Sequence, residues 1–238
     1  MNMQLQQPGA HATMDERALM AELLPLAHSR ILELGCGRAE LALAVAREHP
    51  RAHITALEVD RAQHALNLAA SAPANLRFAP GGAEAIAAAD GSFDVVWMLK
   101  SLHHVPAALL GSAIDEVRRV LVRGGLFYVS EPVFAGEFNE IVRIFHDEEK
   151  VRLAAFDALR AAVADGRFEL VAERFFDARR RFDGFAEFER GVIGVTHTRH
   201  RLTDAQFAAV RERFMRHATP AGAVFLQPMR VDLLRKPG

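Results

Sequence analysis

Two groups of residues in this 238-residue chain have the types and spacing to do chemistry. The first is Glu33, Gly35, Cys36 and Gly37, followed by Glu58 roughly 20 residues beyond the glycines. Glycine has no Cβ, so a Gly-x-Gly backbone turns sharply and comes close to a ligand. A carboxylate at that distance in a doubly wound fold accepts hydrogen bonds from ribose hydroxyls, and such charge-assisted bonds are stronger than neutral ones. Asp60 is the rival acid, better placed to cap the helix that follows. The second group is His103, His104, Glu131 and His146, imidazoles and a carboxylate able to take a proton from a nucleophile. His103 and Glu131 fall at the C-terminal ends of adjacent strands, where ligands bind in open α/β sheets.

The elements that must position these groups read in order. Residues 31–34 are a short apolar run ending at a glycine turn, a buried parallel strand. Leu41, Leu43 and Val45 continue as a helix packed back on the sheet. Strands are expected over 52–58, 75–78, 93–98, 126–130, 168–176 and 229–234, the last half-exposed after Pro228 because it alternates apolar and charged residues. Pro106 opens a helix with Leu109, Leu110, Ile114, Val117 and Leu121 inward. Phe138, Ile141, Val142, Phe145, Phe156, Leu159 and Val163 have helical spacing, making about 30 residues of helix between the fifth and sixth strands. Capping boxes open two more helices, one at Thr13 with Glu16 running to about residue 27, one at Thr203 with Gln206 running to about residue 217. Residues 1–12 read as a frayed, Gln-rich leader.

The dinucleotide fingerprint G-x-G-x-x-G/A fails at its sixth position, where Glu40 would face a pyrophosphate. The stretch Glu33-Leu34-Gly35-Cys36-Gly37-Arg38-Ala39 instead resembles the first motif of class I S-adenosylmethionine-dependent methyltransferases, with Ala39 for the third glycine. Gly81-Gly82-Ala83-Glu84 and Asp90-Gly91-Ser92-Phe93-Asp94-Val95-Val96 resemble that family's G-D-A-E and D-G-S-F-D-V-V. Leu102-His103-His104-Val105 resembles its L-H-H-V, and Arg123-Gly124-Gly125 its P-G-G turn. The resemblance covers roughly residues 30 to 130. It implies an α/β, three-layer Rossmann-like fold: a seven-stranded, mostly parallel sheet with an antiparallel last strand and a helical lid insertion. It implies S-adenosylmethionine as cofactor, S-adenosylhomocysteine as product, and in-line methyl transfer to oxygen, nitrogen or carbon of a small-molecule acceptor. The cofactor contacts it implies are Glu33, Gly35, Cys36, Gly37, Glu58, Val59, Gly82, Ala83, Glu84, Met98, Leu99 and His103, with His103, Glu131, His104 and His146 as candidate bases. Gly82 stands where relatives carry an Asp that accepts from the adenine amine, a task left to Glu84, a backbone carbonyl or water. No N-P-P-Y or D-P-P-Y is present, which argues against methylation of nucleic-acid amines or glutamine.

One domain is expected over 1–238, divided into an N-terminal helix (13–28) over the cofactor, a cofactor-binding half (29–130), a helical lid insertion (131–166) and C-terminal strands and helices (167–238). A net charge of −1 gives no footprint for nucleic acid or an anionic membrane. One cysteine excludes an internal disulfide and fits a reducing compartment. No apolar run approaches a membrane span, so the chain reads as cytoplasmic, with no membrane partner, a monomer or homodimer. His146-Asp147-Glu148-Glu149 reads as a solvated helix face, with no metal expected. Arg179-Arg180-Arg181 reads as a solvated turn, Phe182, Phe185 and Phe188 as core on a short helix, and residues 196–201 as a polar approach to the next helix. Two other classes stay open: an NAD(P)-dependent oxidoreductase, against which Glu40 and the strand count speak, and a non-catalytic cofactor-binding module, which only Gly82 and Ala39 support.

Overall fold

The computed structural model of the chain describes residues 3–7, 9, 11–195, 198 and 200–238. Successive apolar runs form β1 (Arg30–Leu34), β2 (His53–Glu58), β3 (Leu76–Pro80), β4 (Phe93–Leu99) and β5 (Leu121–Pro132), all parallel. β6 (Glu169–Phe182) and β8 (Gly222–Arg235) complete a sheet of order β3-β2-β1-β4-β5-β8-β6, with the two-residue β7 (Ala218–Thr219) paired to β8. β8 runs antiparallel to both β5 and β6. The mostly parallel sheet with an antiparallel last strand is therefore as expected. Chain order reverses between β1 and β4, the switch point at which open α/β sheets leave a crevice at the strand C-termini.

Because side chains alternate along a strand, each sheet face carries its own core. Leu32 and Leu34 face α4 (Leu110–Val120) and α6 (Glu149–Ala164), whereas Ile31 faces α1 (Glu16–Leu23) and α2 (Glu40–Glu48). α3 (Arg61–Ala69) links β2 to β3 and is capped by Asp60, which accepts from Ala62 N–H at 2.9 Å. Beyond the sheet ends lies a third, aromatic core. There α5 (Glu137–Val142), the distal halves of β6 and β8, α7 (Phe185–Phe188) and α8 (Asp204–Met215) bring together Phe138, Phe182, Phe188, Phe214 and Phe225. The Phe182, Phe185 and Phe188 cluster is core, although Phe182 ends β6 and does not lie on the helix. Thr203 and Gln206 form the expected capping box.

Several expectations are corrected. α1 is capped by Asp15, which accepts from Arg17 N–H, while Thr13 bridges to Asp177. The described residues of the leader are tied down: Met3 is buried in the main core, Gln4 N–H donates to Glu173 and Arg230 donates to Leu5 O. Leu109 is exposed and the α4 face is completed by Ala113 and Val120, because a 3-10 turn (Ala107–Leu109) delays the helix. The Arg179–Arg181 run is strand, not turn; the Arg180 guanidinium lies 4.5 Å over the Phe138 ring. β8 begins seven residues early, and its stretch from 229 to 234 is buried on both faces, since Arg230 and Asp232 pair with each other inside the sheet at 2.8 Å. Pro228 sits within it, just past the last β5 pairing of Pro132 with Met229. The segment 131–166 also divides: α5 joins the aromatic cap, while Phe156 and Leu159 of α6 are fixed in the main core beside α4.

Candidate active site

β1 ends in a turn built from left-handed residues, Gly35 at φ 71°, Gly37 at φ 52° and the buried Ala39 at φ 54°. For Ala39 that conformation costs about 1–2 kcal/mol, which neighbouring bonds must offset. They do so from two elements. Leu57 O accepts from Gly35 and Cys36 N–H at 3.0 and 2.9 Å, and the buried Asn67 of α3 donates to Gly37 O at 2.7 Å. Glu58 completes the clamp: Oε2 accepts Gly37 N–H at 2.7 Å and Oε1 accepts Asp60 N–H at 2.8 Å. Each oxygen keeps a further lone pair for a ligand hydroxyl. Burial pushes the Cys36 thiol far up, so it is a neutral filler of the turn.

Glu33 is 3% exposed at the end of β1, and its Oε2 has no partner of good geometry among the described residues. Burial raises its pKa to about 8, against the pull of the Trp97 indole and the Lys100 ammonium. Lys100 itself pairs with Glu16 of α1 at 3.0 Å, so α1 is tethered to the loop after β4. On the next strand ends, Ala83 is buried and Val59 exposed. A side chain at position 82 would run into the Glu84 carboxyl group, so Glu84 fills the volume that an aspartate there would take. Met98 is buried and Leu99 half-buried at the end of β4.

The histidines and acids form a second polar cluster at the ends of β4 and β5. His103 is buried; its Nδ1 pairs with Glu131 Oε2 and its Nε2 lies 3.5 Å from Glu148 Oε1. Glu131 Oε1 accepts Leu102 N–H at 2.9 Å. Burial pulls the His103 pKa down, but Glu131 and Glu148 outweigh it and raise it to about 9. Burial likewise opposes ionisation of both acids, and His103 holds both below the carboxylate range. His146 Nε2 lies 2.9 Å from Glu148 Oε1, and Arg152 grips Glu148 Oε2 at 2.6 Å. His104 is exposed, its ring 4.1 Å from that of His103.

The structure thus brings Glu33, Gly35, Cys36, Gly37, Glu58, Ala83 and Glu84 to one end of the sheet, and His103, His104, Glu131 and His146 together beside them. It corrects the reading of 146–149 as a solvated helix face: α6 starts only at Glu149, and the preceding irregular backbone lets His146 and Glu148 converge. Glu148 and Arg152 were missed as site residues, although their i, i+4 spacing signals an ion pair. Thr196, His197 and Arg199, read as polar approach, lie outside the described residues; His200 packs its ring 4.6 Å from His146.

Known proteins resemble this chain in both sequence and fold. Residues 31–125 match the family described as Methyltransferase domain. A 27-O-demethylrifamycin SV methyltransferase of Amycolatopsis mediterranei is 36% identical over 111 residues, 44% of this chain and 40% of that protein. A ribosomal RNA large subunit methyltransferase G of Pseudomonas putida is 32% identical over 137 residues, 53% of this chain and 35% of that one. The chain therefore spans less than half the length of these curated relatives. Among solved structures, a putative methyltransferase of Bacillus halodurans superposes with TM-score 0.63 at 17% identity, covering 94% of this chain and 99% of that one. The [4+2]-cyclase SpnF does so with TM-score 0.61 at 21% identity over 96% and 87% of the two chains, which shows that the fold alone does not fix the reaction. Residues 31–125 thus match a methyltransferase domain, and the chain as a whole has the Rossmann-like α/β fold of these solved structures.

Proposed function

We propose that the chain transfers the methyl group of S-adenosylmethionine to a small-molecule acceptor and releases S-adenosylhomocysteine. The observation that carries this is the Glu58 carboxylate, fixed by Gly37 and Asp60 N–H beside the glycine turn with lone pairs left for two ribose hydroxyls. The residues present fit the cofactor: Gly37 has open space where a Cβ would stand, and Glu33 offers a buried, under-bonded oxygen to a positively charged ligand. Glu84, with Ala83 N–H beside it, is the acid left to meet the adenine amine. Val59, Met98, Leu99 and His103 would line the remaining walls.

The bound cofactor supplies an already activated methyl group, so the protein's task is to align the acceptor and accept its proton. His103, Glu131, His146 and Glu148 form the acceptor-side cluster. His103 is held by an acid on each nitrogen, which suits it to position groups while the more accessible His146 and His104 meet the acceptor. A net charge of −1 favours a small acceptor over a polyphosphate one. The rRNA methyltransferase relative supports a second reading, an RNA acceptor. The reading extends to a cytoplasmic protein, monomeric or homodimeric; among the described residues no helix is long and apolar enough to cross a membrane.

Calorimetric titration with S-adenosylmethionine, S-adenosylhomocysteine and NAD, repeated with Glu58→Ala, tests the proposal. Micromolar binding of the first two, lost in the variant, is expected. A preference for NAD, or no binding of either methionine-derived ligand, overturns it. Methylation of an RNA fragment and none of a small-molecule panel would turn the acceptor reading to RNA.

A further inference from the structure

We propose that His103, His104 and Glu148 form a binding site for one divalent ion of the zinc type at the acceptor end of the cleft. Glu148 Oε1 lies 2.9 Å from His146 Nε2 and 3.5 Å from His103 Nε2. Donors that share an ion at about 2.0–2.2 Å stand about 3–3.5 Å from one another, the edge of its coordination polyhedron. A nitrogen of His103, one of the exposed His104 and an oxygen of Glu148 all lie within 4.8 Å of one another, and His146, against Glu148, stands as a further donor.

The surrounding groups are arranged as supports for such a site. A metal-bound imidazole usually gives its other nitrogen to a carboxylate, which fixes its tautomer and aim. Glu131 does this for His103 at Nδ1, and is itself held by Leu102 N–H, so Nε2 is the nitrogen turned to Glu148. Arg152 Nη2 takes Glu148 Oε2 at 2.6 Å and its Nη1 donates to Asn139 Oδ1 at 3.1 Å, which leaves Oε1 for the ion. Burial is graded: His103 and Glu148 are buried, His146 half-buried and His104 exposed. That grading gives a closed floor and an open side, the form of a site that keeps positions for water or a ligand. Mixed imidazole and carboxylate donors suit zinc, iron(II), cobalt or nickel over magnesium or calcium. The site itself stands on these distances; only its use toward an acceptor oxygen rests on the methyl-transfer reading.

The test uses the full chain, stripped with a chelator, dialysed against zinc chloride or cobalt chloride and analysed by elemental mass spectrometry. One ion per chain is expected, with cobalt giving ligand-field bands in the visible that saturate at one equivalent. Glu148→Gln and His104→Ala should each abolish stoichiometric retention and the bands. Glu131→Gln should weaken affinity about 10–100-fold, the usual effect of losing a carboxylate behind a ligating histidine. No ligand-field bands in the unmodified chain, or retention unchanged in both Glu148→Gln and His104→Ala, overturns the proposal and leaves a proton-bridged network. Titrating S-adenosylmethionine into the same stripped and loaded samples keeps the two readings separate. Cofactor binding without metal retention sinks only the metal site, and metal retention without cofactor binding sinks only the methyltransferase reading.

Discussion

Gly35 and Ser101 stand in direct apposition: a Cβ at position 35 would lie 2.8 Å from Ser101 Cβ, closer than side chains can approach. Ser101 Oγ meanwhile donates to Leu34 O at 2.8 Å. The turn after β1 and the loop after β4 are therefore locked across the point where sheet order reverses. The first glycine of the motif serves packing between two loops, whereas Gly37 has open space where its Cβ would stand.

That difference predicts how the two glycines respond to substitution. Gly35→Ala combines a left-handed backbone with overlap and should cost about 2–4 kcal/mol in urea unfolding. Gly37→Ala carries only the backbone penalty, about 1–2 kcal/mol. Its larger effect should be on cofactor affinity. Equal stability losses would show that the apposition with Ser101 does not constrain the fold.

Glu33 gives a pH-dependent prediction. Its folded pKa, about 8, lies above the ordinary 4.5, so the folded chain holds this proton more tightly than the unfolded chain. Stability from this group is highest at acid pH and falls as pH rises from about 4.5 to about 8. Glu33→Gln removes the titration. Relative to the unmodified chain it should gain melting temperature progressively over that window, with the difference vanishing near pH 4.5, while cofactor affinity falls. A melting-temperature difference that is flat from pH 5 to 8 would exclude a buried, neutral Glu33.

The Arg230–Asp232 pair predicts a non-additive result. Both side chains are buried and bonded at 2.8 Å, and Arg230 also lies 4.4 Å over the Phe156 ring. Asp232→Ala strands a buried guanidinium and should cost about 3–5 kcal/mol, whereas joint replacement by Met and Leu should recover most of that loss. A double-mutant cycle in denaturant reads the coupling; additive losses would show that the two charges are solvated separately.

The part of the fold from β1 to β5 was legible because its signals are local. The Gly-x-Gly turn, Glu58 one strand later and the apolar strands each need only neighbours in sequence to be read. The C-terminal half was not. In β8 the alternation of apolar and charged residues signals one wet face, yet Arg230 and Asp232 satisfy each other inside the sheet. In the Arg179–Arg181 run, Arg180 is absorbed by aromatic rings of the cap. Such residues are partnered across the fold, and no spacing rule anticipates the partner.

The sequence by itself determined the parallel strands, their order of appearance and the glycine turn after the first of them, because glycine conformation and strand periodicity are properties of short segments. Only the tertiary structure decided that His103 is shared by Glu131 and Glu148, that Glu84 fills the volume beside Gly82, and that the aromatic cap is built from α5, α7, α8 and the far ends of β6 and β8. Each of these depends on where a side chain meets another from a distant segment, and that is set by packing the sheet, the helices and the loops against one another.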